Sequence, residues 1–92
     1  MEKMLPVAIR GLGEGWALGL ASLGDGMDGT LLLVYTESGL YALSLDTGHV
    51  WPVEAKGRRL YAVLSNGRLR YRARLYVHSR LAYSTALALA SP

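Results

Sequence analysis

Arg68, Arg70, Arg72 and Arg74 occupy every second position of one short segment. In an extended chain alternate side chains leave the same face, so four guanidinium groups would stand in a row. A rise of about 3.4 Å per residue sets neighbours about 6.8 Å apart and the row about 20 Å long. Groups so spaced can follow successive phosphates of an extended nucleic-acid strand, and such contacts position without reading sequence. Tyr61 and Tyr76, on the same side as the row, offer rings on which bases can stack. The row costs little by itself. Each adjacent pair repels by about 0.6 kcal/mol in water, and a Debye length of about 8 Å at physiological salt reduces that further. It can therefore also stand as a solvated coat that discourages edge-to-edge aggregation, with the stems covering apolar atoms.

An internal partner would be a neighbouring strand with alternating acids. Glu14, Asp25, Asp28, Glu37 and Asp46 fall in loops or turns, and Glu2 and Glu54 lie near segment ends. No strand offers two acids at i and i+2, so complete internal neutralisation is not expected. The face is then solvated or meets something acidic outside.

Other motifs do not hold their chemistry. Gly24-Asp25-Gly26-Met27-Asp28-Gly29 fits G-x-G-x-x-G, but a dinucleotide site needs that loop to open a helix. Here a strand-like run follows, and two aspartates would repel a phosphate. Their spacing does not fit the helix-flanked calcium loop either. His49 and His78 lie far apart with no cysteine beside them, so no zinc set is expected. Asp46 and His49 flank a turn, which is ordinary turn chemistry. No serine sits in a G-x-S-x-G setting. No metal, cofactor or catalytic residue is assigned, and the chain reads as non-enzymatic.

The elements that must carry the arginines follow from closely spaced turn signals. Strands are expected over residues 5–10, 16–23, 30–36, 40–45 and 49–53, with Pro52 placing the last at an edge or strand end. Asn66-Gly67 between two β-like runs suits a two-residue type I′ hairpin. That turn sets Ser65 against Arg68, Val63 against Arg70, Tyr61 against Arg72 and Arg59 against Arg74. One face then holds Leu60, Ala62, Leu64, Leu69, Tyr71, Ala73 and Leu75 and belongs to the core. The other holds Arg59, Tyr61, Val63 and the four arginines. Residues 81–90 alternate large and small, and the period of two predicts a final strand. Their alanine content favours a helix instead.

Residues 28–52, DGTLLLVYTESGLYALSLDTGHVWP, resemble one repeat of a quinoprotein-type β-propeller blade. The matching features are the Asp-Gly entry turn, the Tyr-Ala-Leu strand and the Asp-Thr-Gly turn leading to a tryptophan. A propeller needs several blades and no second copy is present. The resemblance implies an antiparallel meander, and no ligand or activity is carried over.

Composition bounds these readings. Ninety-two residues suit one domain, 51% of them hydrophobic, with no phenylalanine and only 18% charged. The absence of cysteine excludes disulfides and thiolate metal sites and is compatible with a reducing cytoplasm. No apolar run approaches the roughly 20 residues of a membrane span, so no membrane partner is expected. Eight arginines against two lysines, with no glutamine, resemble a heat-adapted or GC-rich composition. The net charge of +3 hides a division: residues 1–55 carry seven acids and two bases, residues 56–92 eight bases and no acid. That asymmetry points to an acidic partner, internal or external. The expected fold is a single all-β domain, an antiparallel meander of seven or eight strands closed into a small barrel or folded as a two-layer sandwich. The expected function is binding of single-stranded DNA or RNA through Arg59, Tyr61, Arg68, Arg70, Arg72, Arg74 and Tyr76. The alternative is a protein-interaction module or homo-oligomer in which the basic hairpin meets acidic loops or an acidic partner.

Overall fold

The computed structural model describes residues 4–24 and 30–90. Seven antiparallel strands follow in chain order: β1 (Leu5–Ile9), β2 (Gly13–Leu23), β3 (Leu31–Thr36), β4 (Gly39–Ser44), β5 (Val50–Lys56), β6 (Arg59–Asn66) and β7 (Leu69–Val77). A helix, α1 (Arg80–Ala90), ends the chain. Each strand pairs with the next, and β7 returns to pair with β2 through Ala21–Val77, Ser22–Tyr76 and Leu23–Leu75. Strands β2 to β7 thus close a six-stranded barrel, with β1 as an extra strand. The sandwich alternative is excluded. Between Ala17 and Gly19 the β2–β3 register shifts at a bulge. On one side of it β2 pairs with β1, and beyond it the same edge pairs with β7. The bulge is where the strand turns from flap to barrel wall.

Leucine and alanine suit this interior. A six-stranded barrel is narrower than an eight-stranded one, so large and small side chains must alternate to fill it. Register rows show the arrangement: Leu23 pairs with Leu75, Leu75 with Leu60, and Leu60 with Ala55. The next row sets Ala73 against Ala62 and Ala62 against Val53. Leu33, Leu60 and Leu75 are sealed from solvent.

Two expectations need correcting here. Residues 81–90 form a helix, not a strand. Ser79 caps it, its Oγ accepting from the Ala82 N–H at 3.3 Å and its carbonyl from the Tyr83 N–H at 3.0 Å. Ala82 and Ala86, one turn apart, are buried against the barrel, and a Cβ on Gly19 would lie 3.0 Å from that of Ala82. Small residues on both sides therefore let the helix seat on the barrel end where β7 finishes. Pro52 lies inside β5 rather than ending it. β4 pairs with Val50, Trp51 and Pro52, whereas β6 pairs from Val53 onward. Proline thus sits where the strand changes partners and the β6 ladder has not begun, so its missing N–H is tolerated.

Candidate nucleic-acid interface

The β6–β7 hairpin turns one residue later than Asn-Gly suggests. Asn66 pairs with Leu69, leaving Gly67 and Arg68 as the loop. Gly67 has φ +64° and no other residue of that turn is positive, the pattern of a type II′ turn. The sequence expectation required positive φ at two positions, and asparagine is spared it. The correction moves every pair by two: Ser65 faces Arg70, Val63 faces Arg72, and Tyr61 faces Arg74. Because the shift is even, no side chain changes face. Arg59 does not oppose Arg74, and Arg68 lies in the turn. The strand displays three arginines, with a fourth at its tip.

On the outward face the register builds a small grid. Tyr61 lies between Glu54 of β5 and Arg74 of β7, and Arg59 pairs with Lys56. Arg59, Arg68, Arg70 and Arg72 are exposed, and Arg74 is half-buried. The half-burial has a cause. The Arg74 guanidinium carbon lies 4.9 Å from the Tyr76 ring centroid, a cation–π contact. Tyr76 in turn lies over Gly24, where a Cβ would come within 2.0 Å of the ring. The chain is tied there as well, the Gly24 N–H donating to the Arg74 carbonyl at 2.9 Å. Glycine makes room for the ring, and the ring carries the guanidinium.

Arg72 is the exception in the row. Its Nε donates to Glu54 Oε1 at 2.9 Å. Glu54 therefore belongs to the sheet face and is not a segment-end acid, and it neutralises one position of the row. The two side chains are 46% and 41% exposed, so the pair adds at most about 1 kcal/mol. Beneath them Val63, although on the outward face, is buried. The charged stems cover it, as long basic side chains commonly do.

Of the sequence-assigned residues, Arg59, Tyr61, Arg70, Arg72, Arg74 and Tyr76 share the outward face of β6–β7, while Arg68 stands at its tip. Leu69 and Tyr71, assigned to the core, are exposed at the barrel end opposite the helix. Sequence reasoning passed over Lys56 and Arg58, which flank Gly57 in the β5–β6 turn and are exposed beside Arg59. The Lys-Gly-Arg-Arg run itself was the available signal. The two aspartates of the glycine loop, Asp25 and Asp28, lie outside the described residues. Among the described residues no three His, Asp or Glu side chains group as a metal site, and no helix is long and apolar enough to cross a membrane. His78 Nε2 lies 3.4 Å from Ser22 Oγ, an exposed contact.

Fold and face together define a small closed antiparallel β-barrel with a basic, tyrosine-interleaved strand pair on its outer wall. No protein-family model, curated protein or solved structure matches the chain.

Proposed function

We propose that the protein is a non-enzymatic nucleic-acid-binding module of the cytoplasm, holding single-stranded DNA or RNA by its backbone. The observation that carries this reading is the outward face of β6–β7. There Arg59, Arg70 and Arg74 alternate with Tyr61 and Tyr76, and one carboxylate, Glu54, answers one arginine among the described residues. Arg70 and the turn residue Arg68 take phosphates. Arg74, held flat by Tyr76, offers a plane to a base, as arginine and tyrosine do on single-strand platforms. Nothing on the face reads base edges in a fixed geometry, so discrimination between sequences is weak.

Affinity for a single-stranded oligonucleotide, titrated against salt, tests the reading. Log K should fall linearly with log salt, and the Arg68→Ala/Arg70→Ala double variant should flatten the slope by about 1.4 while remaining folded. Absence of binding at low salt, or an unchanged slope in the variant, would contradict it.

A further inference from the structure

Away from the basic face, β1, β2 and β3 line an open pocket of about 760 Å³. Trp16 and Tyr35 are direct cross-strand partners, and both line it. Glu14 precedes Trp16 by two residues and Glu37 follows Tyr35 by two. Strand alternation carries Glu14 on the same face as the two rings, and Glu37, in the turn that follows β3, lines the same pocket. Glu14 and Glu37 are exposed, Trp16 is 46% exposed, and the ion pair among the described residues is Arg72–Glu54, which involves neither acid. Two aromatic rings beside two unpaired carboxylates recognise an organic cation, through ring faces and through charge.

The chain itself holds a group of that chemistry at a suitable place. Strands β3 and β5 run in the same direction, each being antiparallel to β4. The turn bearing Glu37 and the turn bearing Gly57 and Arg58 therefore leave the same end of the barrel. The second turn carries Lys56, Arg58 and Arg59, all exposed, with no carboxylate bonded to them among the described residues. We propose that the pocket takes the Arg58 guanidinium of a second copy, in a two-fold dimer that joins the helix-capped ends. A two-fold axis at that end makes the contact twice, each copy giving its basic turn and receiving its partner's. Charge complementarity selects this occupant: a turn of three cations meets a pocket with two acids at its rim. Arg59 borders both surfaces, but Arg58, Glu14 and Glu37, the positions tested, have no part in the nucleic-acid reading, so the two can fail separately.

Sedimentation equilibrium at low ionic strength tests it. Wild-type protein should have a dimer mass that falls towards the monomer as salt rises. Arg58→Glu alone, and Glu14→Lys/Glu37→Lys alone, should each weaken the dimer by about tenfold or more. All three positions are exposed, so circular dichroism should show both variants folded. An equimolar mixture of the two variants should regain the dimer, because both contacts then again join opposite charges. A wild-type protein that stays monomeric into the millimolar range at low salt would overturn the proposal. So would a dimer that survives both variants, or a mixture no more associated than its components.

Discussion

Within the β6–β7 hairpin, Leu60, Ala62, Leu64, Ala73 and Leu75 are sealed in the barrel, while Arg59, Arg70, Arg72 and Tyr76 on the reverse of the same strands stand in solvent. Both faces have the same backbone, twist and register. Burial dictates the first, since a narrow barrel admits only certain volumes at each row. Folding makes no comparable demand on the second. Among the described residues one ion pair and one cation–π contact organise it, and together they supply little stability. The inward face is accounted for by the fold; the outward face is not, and the proposed function rests on it.

Substitutions should separate the two faces sharply. Leu75→Ala empties a site that is 1% exposed, and unfolding in denaturant should show a loss of about 2–5 kcal/mol. Oligonucleotide affinity of the folded fraction should not change. A loss under about 1 kcal/mol would mean the barrel collapses around the gap and its rows are not tightly specified. Ser79→Ala removes the cap of α1 and should cost about 1 kcal/mol. An unchanged unfolding midpoint would show that α1 is held by Ala82 and Ala86 without its cap. Glu54→Gln acts on the outward face alone. Stability should change by less than about 1 kcal/mol, since the pair is exposed on both sides. With Arg72 released, oligonucleotides should bind more tightly, with a salt slope steeper by about 0.7. Weaker binding in this variant would show that the ion pair orders the face for its ligand.

The same contrast explains what the chain revealed before its structure. The inward pattern of Leu60, Ala62, Leu64, Ala73 and Leu75 was plain from alternation, because period two survives any even change of register, whereas Leu69 and Tyr71, assigned to the same face, are exposed. Strand number, the meander and the division of the hairpin into two faces were legible for that reason. The turn was not, since Asn66-Gly67 and Gly67-Arg68 both place glycine where positive φ is needed. Only the pairing chooses between them. Residues 81–90 satisfied a strand pattern and a helix propensity together. The deciding contacts, Ser79 as cap and Gly19 beside Ala82, depend on the neighbouring residues and on a bulge far away in sequence. Glu54 was missed because its partner lies 18 residues away across β6, a distance that alternation within one strand cannot bridge.

The location of the contact can be read directly from arginine side-chain NMR signals during titration with a short single-stranded oligonucleotide. Arg70 and Arg74 Nε–H resonances should move first and together, with Arg72 lagging while Glu54 holds it, and Arg10 should stay still. Shifts gathered on Arg10 and the Trp16 indole, or spread evenly over all arginines, would place the ligand elsewhere and leave the outward face of β7 as a solvated coat.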